Sequence, residues 1–513
     1  MSATSDDGGA LPASVGVAIV GSGFSGLAMA IALLKAGRRD FVVLERADAI
    51  GGTWRDNTYP GCACDVPSHL YSFSFAPAPR WSRAFAPQAE IRAYLERCTD
   101  TFGVRPFVRF GRAVVEAAFD EASARWTLRT NRGETLTATA VVAGLGGLSN
   151  PTLPKIAGAS TFAGEQFHSA RWNHAYDLRG KRVAVVGTGA SAIQFVPAIA
   201  PQVASLHLFQ RTPPWVLGRP DRAYGARARR WLGASTLLRK AYRAAIYARY
   251  EARALGFVGD PRLMSLVAWF GRRAIARAIA DPALRAAVTP TYVPGCKRIL
   301  MSNDWYPTLA RPNVEVVTEA IDRIEPHAVV TKDGVAREVD AILWATGFAV
   351  QAPLGSLRVR GREGADLGEA WKTGAETYLG ITTAGFPNLF FLMGPNTGLG
   401  HNSMVYMIES QVRYVLGCLA WQREHGAAFV DVRRDAQQAF VGEMARRLDR
   451  AVWASGCTSW YLSEAGRNTT LWPGFTFEYR ARTRRFDPAP FEVRRAPGAG
   501  PGTADYNPQA TRT

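Results

Sequence analysis

Val17-Ala18-Ile19-Val20-Gly21-Ser22-Gly23-Phe24-Ser25-Gly26 decides the fold, and Val183-Ala184-Val185-Val186-Gly187-Thr188-Gly189-Ala190-Ser191-Ala192 repeats its layout. In both, a short apolar run meets a G-x-G turn that opens a helix. The first glycine allows the tight turn, the second lets the backbone approach a ligand, and the last packs helix on strand; alanine is tolerated there, as at Ala192. The following apolar runs are Phe41-Val42-Val43-Leu44 and Ser205-Leu206-His207-Leu208-Phe209-Gln210. They are followed, each 24 positions after the first glycine of its turn, by residues of opposite charge, Glu45 and Arg211. An acid at this place accepts hydrogen bonds from a ribose 2′-hydroxyl, whereas an arginine suits a 2′-phosphate. The first turn (Gly21, Ser22, Gly23, Phe24, Gly26, Glu45) therefore predicts a site for FAD or NAD, and the second a site for NADPH. Backbone N–H groups of Thr188, Gly189, Ala190 and Ser191 are expected to face the NADPH pyrophosphate at a helix N-terminus. Two such sites in one chain predict hydride transfer between cofactors.

Working outward from the two turns, the 513 residues read as an α/β protein with two Rossmann-like dinucleotide-binding domains. Residues 1–15 are expected to be a disordered N-terminus and 16–150 the first part of the FAD-binding domain, with strands at Arg125–Leu128 and Val141–Gly144. A proline-bearing linker follows over 151–180. The NADP-binding domain covers 181–347, with strands at Val314–Val317 and Ala341–Gly347 and a helical insertion at about 221–287. Residues 348–493 return to the first domain and include a long helix over Val405–Trp421, with Glu409 and Arg413 one turn apart and able to pair. A Pro/Gly-rich tail, 494–513, is expected to be disordered.

The net charge is +18, from 61 basic and 43 acidic residues. The arginines are spread along the chain and densest between Arg219 and Arg285, which reads as a solvated basic helical face with subsites for anionic cofactors and argues against nucleic-acid binding. No apolar run is long enough to span a bilayer, and the acidic start of the chain is unlike a signal peptide; the expectation is a cytoplasmic protein, monomeric or a small homo-oligomer. Six scattered cysteines, Cys62, Cys64, Cys98, Cys296, Cys418 and Cys457, show no metal-ligand spacing, so no metal is expected. Cys62-Ala63-Cys64 is not the pair of a flavin disulfide reductase, and free thiols are the expectation throughout.

Two further stretches carry chemistry: Gly51-Gly52-Thr53-Trp54-Arg55-Asp56-Asn57-Thr58-Tyr59-Pro60-Gly61-Cys62-Ala63-Cys64-Asp65, and Phe162-Ala163-Gly164-Glu165-Gln166-Phe167-His168-Ser169-Ala170-Arg171-Trp172. The second, F-x-G-x-x-x-H-x-x-x-W between two glycine turns, resembles the fingerprint of type I Baeyer–Villiger monooxygenases, class B flavoproteins. The first resembles that family's G-G-x-W-x-x-x-x-Y-P-G-x-x-x-D. Gln210-Arg211-Thr212-Pro213, Gly295-Cys296-Lys297-Arg298, Ala345-Thr346-Gly347-Phe348, Gly394-Pro395-Asn396-Thr397 and Ser459-Trp460-Tyr461 match as well, so the resemblance runs from Val17 to Asp487. It departs at Asn173, where the family has proline or aspartate.

The resemblance implies an enzyme in which NADPH reduces FAD, O2 adds to give a C4a-peroxyflavin, and this attacks a ketone to yield an ester or lactone. It implies Arg298 as the fixed cation beside the peroxide and Asp65 as the partner that orients it. Gly52, Thr53, Asp65, Tyr71, Gln194 and Thr212 fall to the cofactors, Trp54 to the flavin ring or a substrate pocket, Arg211 and Lys297 to the NADPH 2′-phosphate, and Trp460 to NADP and substrate. Phe162, Gly164, His168 and Trp172 are implied to couple domain motion to catalysis, with His168 neither acid nor base. An N- or S-oxidising flavin monooxygenase is the alternative, disfavoured by Trp172. A non-catalytic NADPH-binding flavoprotein is the alternative from another class, and it has no use for Arg298 beside Asp65.

Overall fold

The computed structural model describes residues 9–78, 80–260 and 262–495. The expected disordered segments fall largely outside these; Ser14 already begins a strand, and Arg494 and Arg495 end one.

Two sheets organise the chain. The first is built on β1 (Ser14–Val20), which lies between β2 (Phe41–Leu44) and β6 (Thr135–Ala143), parallel to both. β3 (Val108–Arg109) continues the parallel part beyond β2, while β4 (Val114–Asp120) and β5 (Arg125–Thr130) form an antiparallel meander that ends on β6. Alternate residues of a strand point to opposite faces, and β1 uses this to feed two separate cores. Val17 and Ile19 pack on one side of the sheet, Ala18 and Val20 on the other. Such a strand, apolar at both faces, is buried by what covers it. On the Val17 side the cover includes α1 (Phe24–Lys35), joined by α2 (Thr53–Asp56) and α3 (Gln88–Thr101).

The second sheet is wholly parallel. Its strands are β7 (Glu165–His168), β8 (Arg182–Val186), β9 (Ser205–Phe209), β12 (Val314–Val317) and β16 (Ala341–Trp344), in the order β12-β9-β8-β16-β7. Helix α4 (Ala192–Ile199) follows β8. A small ribbon of β10 (Val216–Leu217) and β11 (Leu300–Met301) brackets four helices: α5 (Ala226–Ala234), α6 (Thr236–Glu251), α7 (Leu263–Ala278) and α8 (Pro282–Val288). These occupy the place of the expected insertion. A three-stranded antiparallel patch, β13 (Ile321–Glu325), β14 (Ala328–Thr331) and β15 (Ala336–Glu338), precedes β16.

After β16 the chain returns to the first sheet. β17 (Arg358–Arg360) pairs with β4 and β18 (Leu389–Phe391) with β6. A 21-residue helix, Met404–Glu424, then packs against α1. The expected Glu409–Arg413 pair does not form. Glu409 is buried and accepts the backbone N–H of Ser74 at 2.5 Å, while Arg413 faces solvent. A backbone N–H donating to the carboxylate is charge-assisted and takes the place of a surface ion pair worth about 0.3–0.5 kcal/mol.

Candidate active site

The first glycine turn joins β1 to α1. Gly21 has φ +97°, and a Cβ there would lie 2.6 Å from the carbonyl oxygen of Gly144; one on Gly26 would lie 1.8 Å from that of Gly21. Both positions are closed to any side chain. Gly23 is different. Its Cβ would reach only the Cα of Gly52, at 3.8 Å, so two glycine backbones face each other across the start of α1. That helix begins with no side-chain cap and no acid in its first turn, which leaves its N–H groups and positive end for an anion. A dinucleotide pyrophosphate fits this cradle.

Glu45 stands at the end of β2 as expected and is 3% exposed. Its carboxylate already has four donors: the N–H and hydroxyl of Ser22 at 2.9 and 2.6 Å, the N–H of Ala47 at 3.0 Å, and Arg55 at 2.9 Å. The acid thus stitches the turn to α2. A ribose hydroxyl would share Oε2 with Ser22. The Arg55 side chain is itself largely buried; burial works against its charge, and bonds to Asp56 and Glu45 outweigh that and hold its pKa above the usual value. Next to Arg55, Trp54 is buried and donates through Nε1 to the Tyr71 hydroxyl at 3.2 Å, with Phe24 edge-on to Tyr71. Thr53 starts α2 behind Gly52.

The second turn joins β8 to α4. Gly187 has φ +107°, and its Cβ would meet the carbonyl oxygen of Ala345 at 2.5 Å, whereas nothing lies within 4 Å of one on Gly189. Thr188 donates to the carbonyl oxygen of Thr212 at 3.3 Å. Ala190 packs at the margin of the core, and Ser191 precedes α4 without capping it. Arg211 is exposed, at the end of β9, and Lys297 lies close enough that its pKa is lowered, by burial first and by the Arg211 charge second. Two cations near enough to repel, neither in an ion pair with an acid among the described residues, fit a doubly charged phosphate. Gln194 is engaged within the protein. Its amide accepts from the Tyr59 hydroxyl and the N–H of Ala63 and donates to the carbonyl of Ala63, bolting α4 to the Gly51–Asp65 loop.

The fingerprint is not a free linker. Glu165–His168 is edge strand β7 of the second sheet, in register with Ala341–Trp344. Gly164 is required by crowding, since its Cβ would lie 2.4 Å from the carbonyl oxygen of Asp340, with the buried Phe162 ring beside it. His168 is buried, its Nδ1 accepts from the N–H of Ala170 at 3.1 Å, and burial holds its pKa below the ordinary value against the backbone of Gly347. It stays neutral at neutral pH. Phe167, Trp172, Phe195 and Tyr59 then form a chain of ring contacts at 5.1, 5.3 and 5.9 Å, which connects the fingerprint to the loop ending at Asp65. Asn173 does the turn work of an aspartate: its Oδ1 accepts the N–H of Ala175 at 3.0 Å, and its Nδ2 donates to Glu165 at 2.8 Å.

Arg298 and Asp65, 233 positions apart, meet at 2.5 Å. Their side chains are about one-third and one-quarter exposed, 34% and 26%. The Asp65 charge, opposed by burial, holds the guanidinium pKa well above its ordinary value, so Arg298 remains a cation at any working pH. Tyr461, buried, is close enough to feel both charges. Its ring lies 4.3 Å from that of Trp460, tilted by 54°, and Trp460 is 44% exposed.

One expectation fails here. Cys296 and Cys457 form a disulfide, Cα atoms 6.1 Å apart, so not all thiols are free; Cys62, Cys64, Cys98 and Cys418 are free and buried. The bond ties the strand end carrying Lys297 and Arg298 to the loop carrying Trp460. Its partners lie 161 positions apart, and no spacing rule joins cysteines at that range.

A model of flavin-binding monooxygenase-like proteins matches residues 14–256. Baeyer–Villiger monooxygenases of Pseudomonas aeruginosa and Streptomyces coelicolor are each 51% identical to this chain, over 94% of it and 92% and 93% of their own lengths. Among solved structures, an oxidised steroid monooxygenase bound to NADP superposes with a TM-score of 0.83 at 32% identity, covering 94% of this chain and all of the other. A complex of OTEMO with FAD and NADP gives 0.85 at 27% identity, covering 93% and 99%.

Proposed function

The chain belongs to the Baeyer–Villiger monooxygenase family, an FAD- and NADPH-dependent enzyme, and from that premise we propose that Arg298 and Asp65 serve the insertion of one oxygen atom of O2 beside a ketone carbonyl to give an ester or lactone. FAD, when bound, supplies the chemistry: it takes a hydride from NADPH and activates O2. The chain's own residues bind, orient and stabilise charge. The first turn and Gly52 hold the flavin's pyrophosphate, Trp54 and Tyr71 wall its ring region, and Thr188–Ser191 with Arg211, Thr212 and Lys297 hold NADPH.

The observation that carries this reading is the Arg298–Asp65 contact. Asp65 engages one guanidinium nitrogen at 2.5 Å and holds that end of the group, which leaves other N–H donors for an oxyanion. A donor set in place before charge develops needs no reorganisation at the moment of reaction. Asp65 acts on the oxyanion through Arg298. The fingerprint acts through packing: Trp172, Phe195 and Tyr59 link β7 to the Asp65 loop, so NADP-domain position and Arg298 orientation change together.

The test is product analysis. Flavin-loaded protein given NADPH, O2 and a panel of open-chain, cyclic, aromatic and steroid ketones, with sulfides and amines alongside, is expected to form an ester or lactone. Ketone-stimulated NADPH oxidation that yields hydrogen peroxide alone would overturn the reading, and oxidation confined to sulfides or amines would move it to the heteroatom oxidisers.

A further inference from the structure

The helical segment from Ala226 to Val288 contains thirteen Arg and Lys against three Asp and Glu, in a chain whose net charge is +18. One of the three acids, Glu251, is buried and spent on Asn402 and Thr476. This short segment therefore supplies more than half of the protein's excess positive charge.

Helix α7 is apolar on both sides of its first half. Its inner face, Met264, Ala268, Gly271 and Ile275, is buried, and the Trp215 ring sits so close to Gly271 that a Cβ there would lie 2.7 Å from it. Its outer face carries Leu263, Leu266, Trp269 and Phe270, exposed by 50%, 56%, 53% and 54%. These recur at the i, i+3, i+6 and i+7 positions of one helical side. Arg272, Arg273 and Arg277 follow, all exposed, with the Arg273 guanidinium over the Trp269 ring at 5.6 Å and Phe270 edge-on to it at 4.9 Å. No acid occurs in the helix. Large apolar side chains clustered on an exposed face mark a contact. A face of Leu, Trp and Phe beside arginines is the composition of a helix that lies in the plane of a membrane interface.

Charge selects the occupant. A second copy of this chain set face to face would bring the same arginines together, a like-charge contact that association avoids. An anionic lipid surface offers phosphates to the arginines and an acyl boundary to the apolar side chains. No described helix is long and apolar enough to cross a membrane, so the contact is interfacial. We propose that the outer face of α7 docks on anionic lipid, with Leu263, Leu266, Trp269 and Phe270 entering the headgroup–acyl boundary and Arg272, Arg273 and Arg277 on lipid phosphates.

The test uses full-length, flavin-loaded protein in vesicle flotation, with phosphatidylcholine vesicles containing either about a third phosphatidylglycerol or none. Wild type is expected to float with the anionic vesicles, much less with the neutral ones, and to detach as salt is raised. Leu266→Glu with Trp269→Glu, and separately Arg272→Glu with Arg273→Glu, should each lower the bound fraction by about ten-fold or more, with flavin content and NADPH oxidation unchanged as the check on folding. No flotation of the wild type would overturn the proposal. So would flotation that the Leu266/Trp269 pair leaves intact, which marks only the attraction of a basic protein. A lipid-free dimer abolished by that pair would assign the face to a second copy instead.

Discussion

The two glycine turns look alike on the page and are built for opposite tenancies. At the first, every charge is settled inside the protein: Glu45 is buried and holds Ser22 and Arg55, and the turn rejects any atom at Gly21 or Gly26. At the second, Arg211 and Lys297 stand near one another with neither paired to an acid among the described residues, Gly189 faces open space, and alanine replaces the last glycine. A site finished before its ligand arrives suits a cofactor that stays. A site whose cations are left uncompensated suits an anion that comes and goes, because binding relieves a repulsion that release restores.

The largest test of that contrast is Gly26→Ala. With its new methyl placed 1.8 Å from a backbone oxygen, the first turn must open, and the variant is expected to purify without flavin, read as flavin absorbance per protein. The mirror change, Ala192→Gly, should cost only about 0.5–1 kcal/mol of stability and keep both cofactors. If the two behave alike, the turns are equivalent and the contrast falls. Arg298→Ala comes next. Arg298 belongs to neither turn, so flavin should stay bound while ester formation falls by about 10²–10³-fold, and Asp65→Asn should lose less. Glu45→Gln then tests the settled side. It removes the partner of a buried arginine that keeps Asp56, so unfolding stability should fall by about 1–3 kcal/mol, measured by thermal or urea denaturation, with flavin affinity falling in step. Arg211→Ala tests the unsettled side. Folding stability should not change, because no internal pair is broken, while NADPH binding weakens by roughly 1–3 kcal/mol and NADH binding does not. Lys297→Ala should do the same, and equal losses for NADPH and NADH would show that neither residue reads the phosphate.

What the sequence made legible follows from locality. Strand, turn, helix and the charge 24 positions on are set by short-range geometry, and the βαβ units at Val17 and Val183 form where the pattern places them. The meeting of Arg298 with Asp65 needed the family resemblance, because nothing in composition links residues 233 apart. Besides the Cys296–Cys457 bond, three features were not legible. The Glu165–His168 strand looks like linker because its hydrogen-bond partners, Ala341–Trp344, lie far along the chain. Gln194 sits where a cofactor contact is expected, yet the Ala63 backbone takes its amide. Glu409 matches a helix-surface pairing rule, but the backbone N–H of Ser74, far along the chain, claims its carboxylate. In each case a distant backbone group decides, and backbone groups are the same at every position of a sequence.

The Cys296–Cys457 bond changes what kind of object the chain is. It closes a covalent ring whose ends are 161 positions apart, and β12, β16, β18 and the Met404–Glu424 helix all lie on it. A single cut anywhere on the ring leaves one molecule, whereas a cut before Cys296 or after Cys457 leaves two. A protease-nicked sample should therefore run as a full-length band without reductant and as fragments with it, for every nick inside the ring and for none outside. Read in this way, a gel reports the topology of the chain, and with it whether the segment bearing Arg298 and the loop bearing Trp460 are one continuous covalent piece.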